Sequence, residues 1–383
     1  MKEVRKRTKI PWQQYVAMAF TVLIGAVCGI VMVSYLDKPT EDAPQYGGIP
    51  YLLGLFIGVY AALFFHTIIH EAGHLIFGLL SGYKFSSFRI FSFMWLSENG
   101  KIKLKRLNLA GTGGQCLMTP PDMKDGKIPL VLYNLGGVIL NIITGALFLV
   151  LYSISPDIPI LSPLLLIFAI IGFMTAMLNG IPMRMGTVDN DGYNAFALSG
   201  NKEAVEAFWV QLKTVEQCSK GMRLRDMPEE WFTIPSDEAM KNSMVATRGV
   251  FACNRLMDEE RFDEADALMA HLLEIDSGIV GLHRHLLVCD RIFLELISEN
   301  RSDVIRDMMT PEQIKLMKAM KRYPSVLRTK YALALLSEGN PEMAEGIKRE
   351  FEKSVKSYPY PQEIDSERDL MNMAKRKYYK ETE

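Results

Sequence analysis

Apolar and polar positions divide this chain of 383 residues into two parts with different patterns. Up to about Met183 long apolar runs dominate, and from Asn201 onward the sequence is charged and amphipathic. A helix that spans the hydrocarbon core of a bilayer needs roughly 20 apolar residues. Four runs are long enough, and they lie at about Trp12–Leu36, Tyr51–Leu80, Pro129–Ile154 and Ile158–Gly180. The pattern predicts four transmembrane helices and then a helical domain outside the membrane.

Between the second and third apolar runs, the pattern is typical of strands. Asn99-Gly100 is a strong signal for a two-residue hairpin turn. Residues 101–105 then alternate lysine with aliphatic side chains, which predicts a strand with one wet face. We expect the aromatic stretch Phe85–Trp95 to pair with this strand. The resulting β-hairpin, at 84–107, is predicted to be associated with the membrane surface.

The second part of the chain has the pattern of successive amphipathic helices. Asn201 is placed to cap the first of them, and the segment FDEADALMAHLLEID carries one apolar stripe (Ala265, Leu268, Met269, Leu272 and Leu273). This rhythm predicts antiparallel helix pairs like those of a tetratricopeptide solenoid. Such a domain can bind a protein partner or gate a membrane site. A bundle that only stabilises the cytosolic face explains the pattern equally well.

The fold class predicted is therefore an all-α polytopic membrane protein with a small β-hairpin and a cytosolic, tetratricopeptide-like helical domain. The expected divisions are three. Residues 1–48 hold the N-terminal tail, the first membrane helix and an outer loop. Residues 49–199 form the membrane core with three transmembrane helices and the hairpin, and residues 200–383 form the helical domain.

Lysine and arginine are distributed unevenly among the segments that flank these helices. Five of them precede the first apolar run and eight lie between the second and third, whereas the other two loops carry one in total. Because positively charged loops stay on the cytosolic side, both termini are expected in the cytosol of a multi-pass cell-membrane protein. The net charge of −1 gives no reason to expect nucleic acid as a partner. Five cysteines without C-x-x-C spacing fit reduced thiols.

Within the second apolar run, HEAGH (residues 70–74) matches the pattern H-E-x-x-H. On a helix His70 and His74 lie on one face, so both imidazoles can reach one zinc ion. Glu71 sits beside the first ligand, where its carboxylate can deprotonate a water that zinc activates. Ionisable residues inside a membrane segment are costly and are usually functional. His66 is too far from His74 along the axis to join the same tetrahedral site, so it either lines the cleft or bonds a neighbouring helix.

A catalytic zinc needs a third protein ligand. The remaining histidines (His271, His283 and His285) lie in the cytosolic domain, so we expect a carboxylate near the end of another membrane helix. The segment LNGIPMRMGTVDNDGYNAF, which follows the break in the fourth helix, offers Asp189 and Asp191. Either of them can turn back toward the ion.

These motifs resemble the site-2 protease family of intramembrane zinc metalloproteases. The family has H-E-x-x-H on the first core helix, a G-x-x-x-N element on the second and an Asp-Gly segment on the third. Here Gly137 and Asn141 match the second motif, and NGIP (residues 179–182) followed by Asp191-Gly192 matches the third, with a longer spacing than usual. The resemblance covers about Tyr51–Tyr193 and implies Asp191 as the third ligand, with Asp189 as the alternative.

The sequence thus predicts an integral-membrane endopeptidase that uses Zn2+ and cleaves a membrane-inserted protein or peptide near the cytosolic side. His70, His74 and Asp191 are the expected ligands, and Glu71 is the expected general base. Asn141 is a candidate hydrogen-bond donor to the substrate carbonyl or its oxyanion. The alternative is that Asn141 forms a hydrogen bond between membrane helices. The biological role of the endopeptidase is open among three alternatives: activation of a regulatory membrane protein, maturation of a small secreted peptide, or clearance of signal-peptide remnants. The rival class is a non-catalytic zinc-binding membrane protein or transporter.

Overall fold

A computed structural model describes residues 12–34, 49–98, 100–155, 158, 160–184 and 188–382. Its first five helices are α1 (Trp12–Ser34), α2 (Ile49–Leu80), α3 (Val131–Ser153), α4 (Leu161–Gly180) and α5 (Asp191–Leu198). Four strands lie between α2 and α3, namely β1 (Lys84–Ile90), β2 (Phe93–Glu98), β3 (Lys101–Arg106) and β4 (Gly114–Thr119). The later helices are α6 (Lys202–Ser219), α7 (Ser243–Asp258), α8 (Phe262–Glu274), α9 (Gly281–Ile297), α10 (Ser302–Met308), α11 (Pro311–Ala319), α12 (Pro324–Ala332), α13 (Pro341–Val355) and α14 (Pro361–Thr382).

The chain forms two compact units. The first contains the described residues of Met1–Ser81 and Pro129–Phe196, and the second contains those of Gly82–Ile128 and Ala197–Glu383. The strand segment thus groups with the later helices, whereas the sequence assigned it to the membrane core. The domain boundaries expected between residues 48 and 49 and between residues 199 and 200 remain predictions.

Three of the predicted membrane helices are confirmed in length and composition. α2, α3 and α4 are each long and apolar enough to cross a bilayer. In α1 the apolar part is shorter, at Met18–Ser34, so a fourth span stays a prediction. The basic segment before α1 and most of the loop after it lie outside the described residues. Much of the lysine and arginine asymmetry from which the orientation was predicted therefore also lies outside them.

The burial pattern of α2 is inverted relative to that of a helix in a water-soluble protein. Its buried side is a stripe of small and polar residues, while bulky apolar side chains such as Phe56, Ile57 and Tyr60 are exposed. Small residues let helix backbones approach closely inside a membrane, where the outward face meets lipid rather than water. The sequence of α2 therefore suits a bundle whose surroundings are apolar. Apart from Leu55, the buried residues of α2 are Gly58, Ala62, His66, His70, Glu71, Gly73, His74 and Gly78.

The strands form one antiparallel sheet with the order β3-β2-β1-β4, which is larger than the predicted hairpin. The hairpin between β2 and β3 is present, with Glu98 opposite Lys101, although Asn99 of its turn lies outside the described residues. The aromatic stretch predicted as one partner strand is instead two strands. Phe91 adopts a positive φ of 51° between them, which reverses the chain so that β1 pairs with both β2 and β4.

Hydrogen bonds join the sheet, and the segment that follows it, to the helical part of the same unit. The amide of Arg106, at the end of β3, donates to the carbonyl of Ser357 at 2.8 Å. The indole of Trp209 on α6 donates to the carbonyl of Pro121 at 3.1 Å. Part of the β3 edge is therefore already paired. Met94 and Leu96 of β2 are buried, whereas Ile102 and Leu104 of β3 remain exposed.

The helices of this unit pack in chain order from α6 to α9, after which α12 contacts α9, α13 and α14. Asn201 caps α6 by accepting from the amide of Ala204. The predicted stripe of α8 faces inward, with Ala265, Met269 and Leu272 buried and Leu268 and Leu273 half-buried. These two local predictions are confirmed. A tetratricopeptide-like repeat stays a prediction. All five cysteines are free and buried.

A buried charged cluster lies where α9, α12 and α14 meet. The guanidinium of Arg328 pairs with Asp290 and, at 3.4 Å, with Glu367. The hydroxyl of Tyr358 donates to Glu363 at 2.6 Å. Burial raises the pKa of both Glu363 and Glu367 to about 7, and at Glu367 the facing Arg328 guanidinium only partly offsets this rise.

Candidate metal centre

The helical geometry of α2 places the two motif histidines and the glutamate together. His70 and His74 are one turn apart, and both are buried, as is Glu71 between them. The Nε2 atoms of the two imidazoles approach each other to 3.2 Å. The motif thus presents two nitrogen donors to one point, as its spacing predicted.

Asp191, the first residue of α5, supplies an oxygen at the same point. Its Oδ2 lies 2.8 Å from Nε2 of His70 and 3.3 Å from Nε2 of His74. Asp189 is oriented differently, with Oδ1 3.4 Å from Nε of Arg184. Of the two aspartates that the sequence left open, Asp191 is the one that meets both imidazoles.

A neighbour that the sequence gave no reason to choose, Asn190, holds Asp191 in place. Its buried carboxamide accepts from the amides of Met183 and Tyr193, at 3.0 and 2.9 Å. It donates to the carbonyls of Leu178 and Ile181, at 2.7 and 2.6 Å. All four polar sites of this side chain are therefore used, and they tie the start of α5 to the end of α4.

Gly192 explains why glycine follows the aspartate. A Cβ atom at this position would overlap the carbonyl oxygen of Gly180, which ends α4. Only glycine lets the two backbones come so close. The Asp-Gly pair therefore has a geometric basis, since the glycine permits the approach that brings the aspartate to the imidazoles.

The three donor atoms fit the geometry of a zinc ion. Tetrahedral zinc with bonds of about 2.0–2.1 Å has ligand atoms about 3.3–3.4 Å apart. Two of the three separations, 3.2 and 3.3 Å, agree with this, and the third, 2.8 Å, has to open slightly. Two imidazoles and one carboxylate are also a donor set that zinc favours. Among the described residues, this is the only cluster of His, Cys, Asp or Glu with convergent ligand atoms.

Each imidazole uses its outer nitrogen for a hydrogen bond, which leaves the inner nitrogen for the centre. Nδ1 of His74 donates to the carbonyl oxygen of Tyr133 at 2.7 Å. That bond fixes the proton on Nδ1 and leaves a lone pair on Nε2. Nδ1 of His70 lies 3.3 Å from Nδ2 of Asn141. Both outer nitrogens thus have a polar neighbour on α3 or at its start.

Glycines on α2 and α3 bring these two helices into backbone contact at the level of the motif. A Cβ at Gly73 would overlap the backbone of Gly136, and a Cβ at Gly136 would lie 2.5 Å from the carbonyl oxygen of Gly73. A Cβ at Gly137 would lie 2.6 Å from two ring atoms of His70. The glycine of the G-x-x-x-N element thus makes room for a proposed ligand.

The carboxylate oxygen of Asp191 faces both imidazoles through the same atom, Oδ2. A carboxyl group has to be ionised to act as a metal ligand. Glu71 is buried one residue from His70, so two carboxyl groups and two imidazoles share the site.

The structure also locates the other polar residues named from the sequence. Asn141 is fully buried between His70 and His66, a placement that favours holding these rings over direct contact with substrate. Asn134, which lies seven residues before Asn141 on α3, donates to the carbonyl of Leu130 just before that helix and does not join the three donors. In the second unit His271 bonds Asp237 and His285 bonds Gln313.

The chain was also compared with known proteins. No protein-family model, curated protein or solved structure gives a significant match to it. The functional argument therefore rests on the residues and their geometry.

Proposed function

We propose that this protein is an integral-membrane zinc endopeptidase that hydrolyses a peptide bond of a membrane-inserted protein or peptide. One observation carries the proposal. His70, His74 and Asp191 direct three donor atoms at one point, with Glu71 in the same turn, inside a bundle of membrane-length helices. Metal holding alone needs only the donors, whereas an adjacent buried carboxylate is what hydrolysis requires.

In this proposal each residue has a defined task. His70 and His74, through Nε2, and Asp191, through Oδ2, hold the ion. When bound, zinc supplies Lewis-acid polarisation of the scissile carbonyl and makes water easier to deprotonate at neutral pH. Glu71 takes the proton from the attacking water and passes it to the leaving amine. Asn141 keeps His70 in the orientation that these steps need.

The metal centre lies nearer to one end of α2 than to the other, which favours access of water from that end. His70 is about 32 Å along the helix from Ile49 and about 15 Å from Leu80. The carbonyl that orients His74 belongs to Tyr133, near the start of α3. The segment between these helices is rich in lysine and arginine, so by the positive-inside rule this end faces the cytosol and both termini are cytosolic.

The deciding experiment compares wild type with Glu71→Gln and His74→Ala in purified, detergent-solubilised protein. Bound zinc is measured by elemental analysis. Cleavage is measured on a panel that contains a regulatory-type membrane helix, a small secreted-peptide precursor and a signal-peptide remnant. We expect wild type to hold about one zinc ion and to cleave at least one substrate. Glu71→Gln should keep zinc and lose cleavage, and His74→Ala should lose both.

Other outcomes separate the rival functions. If wild type and Glu71→Gln both bind zinc and neither cleaves any substrate, a zinc-binding protein or transporter becomes the better explanation. If Glu71→Gln cleaves as fast as wild type, the carboxylate is not the base. Which member of the panel is cleaved distinguishes regulatory cleavage from peptide maturation and from clearance of signal peptides.

A further inference from the structure

His66 is a third imidazole in α2 that the proposed catalytic steps do not use. It lies one turn before His70, and none of its surface is exposed. Its ring fills a space bounded by α3 and α4. Gly172 of α4 leaves the space, since a Cβ there would lie 2.6 Å from Cε1 of His66, and the rings of Phe148 and Phe168 flank it with centroids at 6.1 and 6.3 Å.

Hydrogen bonds connect this ring to the candidate ligand His70. Nε2 of His66 lies 2.9 Å from the carbonyl oxygen of Phe168. Nδ1 of His66 lies 3.0 Å from Oδ1 of Asn141, and Nδ2 of the same carboxamide lies 3.3 Å from Nδ1 of His70. The contacts form one line from the backbone of α4, through His66 and Asn141, to the ring whose other nitrogen faces the centre.

The donors and acceptors along this line can be assigned from one end. A carbonyl oxygen only accepts, so Nε2 of His66 carries the hydrogen and, in the neutral ring, Nδ1 is an acceptor. An acceptor at Nδ1 requires the amino group of Asn141 to face His66 and its oxygen to face His70. The hydrogen-bond pattern therefore assigns the carboxamide in the orientation turned by 180° about its Cβ–Cγ bond from the one in which Oδ1 lies beside His66, a rotation that exchanges the amide oxygen and nitrogen without changing the shape of the group. Nδ1 of His70 therefore carries a hydrogen, and Nε2 of His70 keeps its lone pair for a metal.

The orientation with Oδ1 beside His66 and Nδ2 beside His70 has two costs. An oxygen facing His66 requires hydrogens on both nitrogens of that ring, which buries a positive charge without a carboxylate partner in this hydrogen-bonded line. An amino group facing Nδ1 of His70 moves the hydrogen of that ring to Nε2, where it points at the centre and blocks metal binding. Only one orientation of Asn141 therefore leaves both rings neutral and His70 ready as a ligand.

We propose that His66 is a positioning residue that fixes the carboxamide of Asn141, and through it the tautomer and orientation of His70. This inference rests on the proposed zinc site. His66 touches none of the three donor atoms directly, so its effect should appear in metal affinity. Residues that orient a metal ligand typically change metal affinity by about 10–100-fold when they are replaced.

The test measures the dissociation constants of Zn2+ and Co2+ by chelator competition in the full-length protein, together with the melting temperature. His66→Phe fills the pocket without hydrogen bonds, and we expect it to weaken zinc binding about 10–100-fold. His66→Gln retains one acceptor and one donor and should keep most of the affinity. Phe148→Leu alters packing against the same ring and leaves the hydrogen bonds, so it should bind zinc like wild type.

A double variant tests whether His66 acts through Asn141. Asn141→Leu removes the carboxamide, and adding His66→Phe to it should cause little further loss, because residues in one network are not additive. Losses that multiply would overturn the inference, as would wild-type affinity in His66→Phe or an equal loss in Phe148→Leu. Those results would leave the proposed function standing. Failure of wild type to bind zinc would overturn both.

Discussion

Replacing Gly137 with alanine should damage the metal centre more than it damages the fold. The new Cβ would lie 2.6 Å from Cε1 and Nδ1 of His70 and 2.7 Å from the His70 carbonyl oxygen, whereas ordinary contacts of this kind are 3.4–4 Å. Either the ring or the backbone of α2 must therefore move. Metal sites tolerate errors of only about 0.2 Å in ligand distance, so we expect zinc affinity to fall at least tenfold.

The stability cost of the same change can also be bounded. Overpacking a well-packed core typically costs about 1–3 kcal/mol, while alanine is about 1 kcal/mol better than glycine as a helix former. The net loss in the free energy of unfolding should therefore stay below about 2 kcal/mol. Zinc affinity is measured by chelator competition, and stability by thermal unfolding followed through tryptophan fluorescence.

Two glycines of the same bundle provide controls. A Cβ at Gly54 of α2 meets nothing within 4 Å, and a Cβ at Gly145 of α3 meets its nearest atom at 3.3 Å. Alanine at Gly54 should leave zinc binding unchanged, and alanine at Gly145 should have at most a small effect. If Gly137→Ala binds zinc as tightly as Gly54→Ala, the contact between Gly137 and His70 does not set the geometry of the centre.

Three further predictions follow from the structure. Asp191→Asn should abolish zinc binding as measured by elemental analysis, whereas Asp189→Asn should retain it; the reverse result would make Asp189 the ligand. Gly192→Ala should lower zinc content together with cleavage, because the start of α5 must move away from α4; unchanged zinc content would contradict this. Between about pH 4.5 and 7 the folded state binds more protons than the unfolded state at Glu363 and Glu367, so their contribution to stability falls as pH rises. Glu367→Gln should therefore exceed the unfolding free energy of wild type by less than about 1 kcal/mol near pH 5 and by about 3 kcal/mol near pH 8 in thermal or urea unfolding; an equal offset at both pH values would refute the assignment.

The parts of the site that the sequence predicted share one property, which is that their geometry is local. His70 and His74 are four residues apart on one helix, so helical periodicity alone brings their nitrogens together. The three long apolar runs were likewise readable from composition, because a bilayer sets the length of its helices. Asp191 required the resemblance to a known family, since reasoning from the residues had left Asp189 equally open.

The parts that the sequence did not predict depend on contacts between distant segments. Asn141 lies 71 residues from His70 and 75 from His66, and no periodicity reports which face of α3 meets which face of α2. Asparagine is common in turns, so the sequence gives no reason to single out Asn190; its role becomes clear only from the four hydrogen bonds of its side chain. Similarly, the reversal at Phe91 that splits the aromatic stretch into β1 and β2 carries no glycine or proline signal.

The same contacts that hold this helix bundle together also set the geometry of its centre. Glycines let the backbones of α2 and α3 touch, and the ring of His70 lies directly against Gly137. In a membrane, helices associate through such close packing and through interhelical hydrogen bonds, because lipid offers no hydrophobic driving force between them. The contacts between Gly73 and Gly136 provide the close packing, and the contacts from Phe168 through His66 and Asn141 to His70 provide the interhelical hydrogen bonds. A substitution that separates α2 from α3 at this contact must therefore disturb the ligands. Losses of zinc affinity and of bundle stability should correlate across variants of the contact glycines Gly73, Gly136 and Gly137, and should be independent for variants on the lipid-facing side of the same helices.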